Sequence, residues 1–250
     1  MKAVEKPNLP EMAECILIGE KYSELLRKPL ENLGINPLFV PDNNYIDTRL
    51  SGHADLSVLH VGGNRLWLAP YLRGSQFSEQ LIAMGFLLDY PKIQQSAVYP
   101  GDAQLNVCIC GRYAICNPAV VPKTIVEFLI STGFNVAACR QGYAKCSVCV
   151  VDEGSIITAD RGIEAVAREA GLDVLLIEPG FIALDGFQYG FIGGAAFKIS
   201  RSKLVFTGTL DNYKSKNVIL SFLERRQVEP IYLTNRPVFD IGSGLPISEK

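Results

Sequence analysis

Three side chains in the first half of the chain have the types and spacing for acid–base and cation chemistry: His53, Asp55 two residues on, and Asp102. An imidazole beside a carboxylate can be oriented or charged by it and can move a proton near neutral pH. Two carboxylates facing one space can receive a cation such as guanidinium through charge-assisted hydrogen bonds. His53 and Asp102 are therefore candidate catalytic residues and Asp55 a candidate ligand-binding residue, if the fold brings positions 53 and 102 together.

A repeat supplies the means. The stretch Gly52-His53-Ala54-Asp55-Leu56-Ser57-Val58 is echoed by Gly101-Asp102-Ala103-Gln104-Leu105-Asn106-Val107 and by Gly142-Tyr143-Ala144-Lys145-Cys146-Ser147-Val148. Looser echoes open at Gly193 and Gly242, so the leading glycines are spaced by 49, 41, 51 and 49 residues. A period of this size marks a repeat architecture. Each interval reads as β–β–α–β. In the third, a strand over 144–151 turns at Asp152-Glu153-Gly154, a second strand covers 155–158, a helix runs over 161–170 to Gly171, and a strand follows at 174–177. In the first, Gly62-Gly63-Asn64 is a hairpin signal between two apolar runs. Residues 1–13 read as a lead-in. Residues 14–40 read as β–α–β, with Pro29 expected to kink the helix.

The N-terminal unit lacks one strand, and the segment after Gly242 is one strand without the rest of a unit. Pairing the two completes a fifth unit and removes the exposed sheet edges that an open array would leave. The expectation is an α/β fold, a five-fold pseudosymmetric α/β propeller in a single domain over 1–250. Its units span about 52–100, 101–141, 142–192, 193–241, and 242–250 with 14–51.

Alternation along the first strands then places side chains. Counted from each glycine, odd offsets are mostly polar and even offsets small or apolar, so the odd ones face the ring axis. One row holds His53, Asp102, Tyr143, Gly194 and Ser243, and the next Asp55, Gln104, Lys145, Ala196 and Leu245. Asp55, Gln104, Tyr143 and Lys145 are the expected ligand-binding residues of a polar pocket. The same rows can also line a water-filled hole in which Lys145 and Asp55 neutralise each other. By this parity Cys146 faces the helices. Cys108 and Cys149 face the channel six residues beyond the His53 row, roughly 20 Å at about 3.3 Å per residue, out of reach of that imidazole. Cys146 and Cys149 form a nominal C-x-x-C whose thiols point to opposite faces of a strand, so no metal site is expected. His60 reads as a packed histidine. The paired glycines lack the strand–GxGxxG–helix context of a phosphate loop, and no cofactor is expected.

Composition agrees with a small-molecule site. A formal net charge of −2 gives no nucleic-acid footprint. No apolar run approaches the roughly 20 residues of a membrane span, and the N-terminus shows no secretory signal. Seven cysteines, an odd number set mostly in apolar runs, read as free thiols in a reducing cytoplasm.

Five β–β–α–β units in a closed ring resemble the pentein superfamily. Its members include the arginine and agmatine deiminases, dimethylarginine dimethylaminohydrolase, the amidinotransferases and the non-catalytic ribosome anti-association factor. His53-Ala54-Asp55 is similar to the His-x-Asp/Glu pair of the guanidino-modifying members, and Asp102 is nearest to their separate carboxylate. Their nucleophile is a cysteine near the C-terminal end in a Gly-rich strand start. The corresponding Gly193-Gly194-Ala195-Ala196 holds none. The resemblance implies a pocket for a small guanidino-like ligand and a hydrolase, if any, without a thiol nucleophile. The other implication is a non-catalytic protein- or ribosome-binding module.

Overall fold

The third unit shows why these residues fold as they do. Val148–Asp152 and Ser155–Thr158 pair antiparallel across the Glu153-Gly154 turn. Asp160 then caps the helix Arg161–Glu169, its carboxylate accepting from the Ile163 amide at 2.9 Å. Ile163 and Ala167, four apart on one helix face, are fully buried. The chain returns in Asp173–Leu176, parallel to Ser155–Thr158. This computed structural model describes residues 2–250, and the same order recurs around it. Val58–His60, Arg65–Leu68 and Leu87–Asp89 form one sheet. Cys108–Cys110, Tyr113–Cys116 and Asn135–Ala138 form the next. Ala196–Ser200, Lys203–Phe206 and Glu229–Tyr232 form the fourth.

The fifth sheet joins the two ends of the sequence. Leu245–Glu249 pairs antiparallel with Ala13–Gly19, which runs parallel to Asn36–Val40 after the helix Ser23–Asn32. That helix carries Pro29 within it. The lead-in is part of the sheet, a correction to the reading of residues 1–13. Lys2–Ala3 pairs with Glu249 and Ser248, and the Val4 amide donates to the Ile247 carbonyl at 3.0 Å.

Hydrophobic clusters fill all five interfaces between neighbouring sheets. Leu59 meets Ile109 and Ile125; Cys108 meets Ile156 and Ile163; Cys149 meets Phe206 and Phe222. Phe197 and Val205 meet Ile16 and Leu26, and Leu17 and Leu245 meet Val58 and Leu66. The last of these closes the ring. The fold is a five-fold α/β propeller.

The first strands begin later than alternation implies. Ala54–Leu56 is a 3-10 turn, Ala144–Ser147 and Ile192–Ala195 are single helical turns, and extended backbone in the second unit starts only at Cys108. Near the axis five segments of the chain converge, and amides there bond across units instead of along a ladder. The Asp55 amide donates to the Gly242 carbonyl (3.2 Å) and the Ser243 amide to the Gly194 carbonyl (2.9 Å). Asn106 Oδ1 accepts from the Lys145 and Cys146 amides at 2.7 and 3.1 Å, satisfying the first donors of that turn.

Candidate functional site

Because the axial segments are turns, their side chains follow a period of three to four rather than two. His53 and Leu56, three apart, both line one cavity, and so do Tyr143 and Cys146. This overturns two expectations at once. Cys146 does not face the helices, and the site is not without a thiol. Cys146 Sγ donates to Asp55 Oδ2 at 2.9 Å and accepts from Asn106 Nδ2 at 3.3 Å. One ligand atom each from His53, Asp55 and Cys146 lie within 4.8 Å of one another, all three residues buried. All seven cysteines are free and buried. Cys108 and Cys149 pack in the interfaces between sheets, where burial pushes their thiols up to about 12.

His53 and Asp102 are not brought together as a pair. The carboxylate nearest His53 is Asp240, with Oδ1 3.9 Å from Nδ1. Asp240 is fixed by two backbone amides, Phe191 N on Oδ2 (2.8 Å) and Gly242 N on Oδ1 (2.9 Å). The missing Cβ of Gly194 makes room for it, since one built there falls 1.9 Å from Asp240 Oδ1. Asp102 instead accepts from the Tyr143 hydroxyl at 2.5 Å. Lys145 does not neutralise Asp55: its ammonium donates to Ser243 Oγ at 2.7 Å and to the Gly193 carbonyl at 3.5 Å. Gln104 is half-buried, with its Oε1 buried and unpartnered. Below Asp55 and Lys145 the axis closes, leaving about 10 Å³ beside His60, space for one water. His60 is a packed residue whose Nε2 donates to the Gly63 carbonyl at 2.9 Å.

Above them lies a cavity of about 140 Å³, with His53, Cys146 and Asp240 as its polar wall and Leu50, Tyr143, Phe187, Tyr189 and Phe191 among the rest. Three atoms of the surrounding side chains are buried without a partner: His53 Nε2, Asp55 Oδ1 and Asp102 Oδ1. Buried polar atoms without partners are rare; of these three residues His53 lines the cavity itself, Asp55 touches its Cys146 wall and Asp102 its Tyr143 wall. Burial raises the Asp240 carboxyl above the ordinary carboxylate range, against the pull of His53 and the two amides. Burial also pushes the Cys146 thiol well up, with the charges of Asp55 and Asp240 adding to it. Burial raises Asp102 too, opposed by the Tyr143 hydrogen bond. The resting thiol is therefore protonated beside two carboxyl groups. A cation entering the cavity would favour the Asp240 carboxylate and the Cys146 thiolate.

Asp240 stands two residues before Gly242, outside the echoed stretch, so no position of the repeat marks it. Its signal in the sequence is an acidic residue inside the apolar run Val238-Phe239-Asp240-Ile241.

The five-unit architecture is that of a pentein fold, and solved structures share it. An amidinotransferase of the saxitoxin biosynthetic pathway from Microseira wollei is 10% identical, with a TM-score of 0.62 over 99% of this chain and 98% of that one. A C. jejuni agmatine deiminase with substrate bound is 11% identical, TM-score 0.57, over 100% and 97%. A mutant DDAH from Pseudomonas aeruginosa complexed with citrulline is 9% identical, TM-score 0.57, over 93% and 96%. At these identities the likeness is one of fold. No curated protein matches by sequence. Residues 17–245 match the model of a family of unknown function, DUF6873, and the chain belongs to that family. Among the described residues no helix is long and apolar enough to cross a membrane.

Proposed function

We propose that the protein binds a small cationic, guanidino-type ligand in the 140 Å³ cavity and that Cys146 attacks it, with His53 as proton donor. The observation that carries this reading is the convergence of the His53, Asp55 and Cys146 ligand atoms within 4.8 Å, with His53 and Cys146 lining that cavity and Asp55 behind the thiol. Aromatic walls over a carboxylate suit a planar cation, which gains from both ring faces and charge-assisted hydrogen bonds. Asp240 would hold the cation, and Asp55, already accepting from the thiol, would take its proton. The thiolate would add to the electron-poor guanidinium carbon, and one amine would leave with a proton from His53. Water or a second amine, giving a proton to His53, would then take the carbon from sulfur, and Asp55 would return its proton to the thiolate. Asp102 would act on the ligand through the Tyr143 hydroxyl. The structural neighbour named as an agmatine deiminase with substrate bound supports a ligand of this class.

The experiment is a thermal-shift screen in chelator-containing buffer with arginine, agmatine and related guanidines, followed by mass mapping with a cationic haloacetamidine and neutral iodoacetamide. At least one guanidine should stabilise the protein, and the cationic reagent should label Cys146 faster than the neutral one. No stabilisation by any guanidine, together with equal labelling by both reagents, would sink the proposal.

A further inference from the structure

The donors at the cavity floor suit a second kind of cation. We infer that His53, Asp55 and Cys146 form a three-ligand site for a borderline-soft divalent metal of the zinc class. An imidazole nitrogen, a thiol sulfur and a carboxylate oxygen lie within 4.8 Å of one another, so small side-chain movements bring all three onto one ion. His53 is 2% exposed and its Nε2 has no partner, while Nδ1 is the nitrogen nearer Asp240. A carboxylate behind a metal-binding imidazole orients it and fixes its tautomer. Asp55 also keeps one oxygen unpartnered.

Charge selects the ion's valence. With the thiol proton replaced by metal, one thiolate and one carboxylate neutralise a dication in a buried site. Donor type selects its identity. Magnesium and calcium take oxygen ligands, whereas a mixed sulfur, nitrogen and oxygen set suits zinc. Asn106 Nδ2, 3.3 Å from Cys146 Sγ, is already placed to donate to a thiolate. Three protein ligands leave a fourth position for water or another ligand, and the ion would enter from the cavity that His53 and Cys146 line. Cys149 takes no part, since it packs between sheets. The metal site stands on these donors alone. Its consequence rests on the function proposed above: bound metal occupies Cys146 and Asp55, so zinc and a guanidine exclude each other.

The test uses the full chain stripped with chelator. Zinc titrated against a chromophoric competitor should bind with one equivalent, and cobalt should show a thiolate-to-metal charge-transfer absorption. Cys146→Ser should abolish that absorption and weaken zinc binding at least about 100-fold, while Cys149→Ser keeps both. Asp240→Asn should keep the absorption and weaken binding about 10–100-fold. X-ray absorption at the zinc edge of the wild-type protein, which needs no variant, should show one sulfur among nitrogen and oxygen neighbours. No charge transfer, an absorption that survives Cys146→Ser, or a zinc shell with no sulfur or with several would each overturn the site. Guanidine stabilisation measured in chelator reads the proposed function separately. If it persists while zinc fails to bind, only the metal inference falls. If zinc binds and no guanidine does, only the ligand proposal falls.

Discussion

Gly194→Ala isolates the packing that holds Asp240 beside His53. In the turn Ile192–Ala195 the substitution should by itself be favourable, because alanine is about 1 kcal/mol better than glycine in helical backbone. The new Cβ, however, would stand 1.9 Å from Asp240 Oδ1 and 2.5 Å from its Cγ. The carboxylate would have to move by more than an ångström, and it is held at both oxygens by the Phe191 and Gly242 amides. Each charge-assisted bond is worth about 1.5–3 kcal/mol, so losing both costs about 3–6 kcal/mol. The clash wins, and Gly194→Ala should destabilise by about 2–5 kcal/mol. In an Asp240→Ala background the obstacle is gone, and the same change should be neutral or stabilising by up to about 1 kcal/mol. Urea unfolding of the four proteins at pH 7, with m-values checked for constancy, gives the coupling directly. If Gly194→Ala costs the same in both backgrounds, Asp240 is not the group it displaces and the placement of the carboxylate is wrong.

Cys146 in metal-free protein should alkylate slowly with iodoacetamide at neutral pH, because burial and the neighbouring Asp55 and Asp240 hold its thiol protonated. Asp240→Asn, which removes a raising charge without touching the proton acceptor Asp55, should speed the reaction, and mass mapping that finds no change would refute the electrostatic account. Lys198 is buried, with its ammonium donating to the Arg201 carbonyl at 2.6 Å, and burial lowers it from 10.5 to about 8. The unfolded chain therefore binds more protons between about pH 8 and 10.5, so this lysine's contribution to stability rises with pH across that window. Lys198→Met should be more stable than wild type below pH 8, by at most roughly 3 kcal/mol at 1.36 kcal/mol per pH unit. That advantage should shrink toward pH 10.5, and a constant difference in unfolding free energy would contradict it. Deleting residues 245–250 should prevent folding, since it strips Ala13–Gly19 of its antiparallel partner and removes Leu245 and Ile247 from a core cluster. A cooperative thermal transition in the truncated chain would show that closure of the ring is dispensable.

The repeat was legible because each unit announces its own parts. Tyr113–Cys116 and Ser155–Thr158 fall where the apolar runs place them, and the glycines after the helices end them by letting the backbone turn. The axial site was legible only in part, for a physical reason particular to a closed ring. Period-two alternation assumes an extended chain, but Ala54–Leu56, Ala144–Ser147 and Ile192–Ala195 are wound. Winding changes which residues share a face, so His53 goes with Leu56 and Tyr143 with Cys146. The polar residues of the echoes were therefore the right neighbourhood with the wrong partners, and a cysteine counted among the apolar positions turned inward. Asp240 enters from the segment before the last echo, where no position within the repeats points to it. It fits only because the fourth echo carries Gly194 where the first carries His53. Relative to the other sectors, the side chain lost from that sector is replaced by a carboxylate from the far end of the same unit. A site built this way depends on differences between the repeats, and those differences are where its chemistry should be sought.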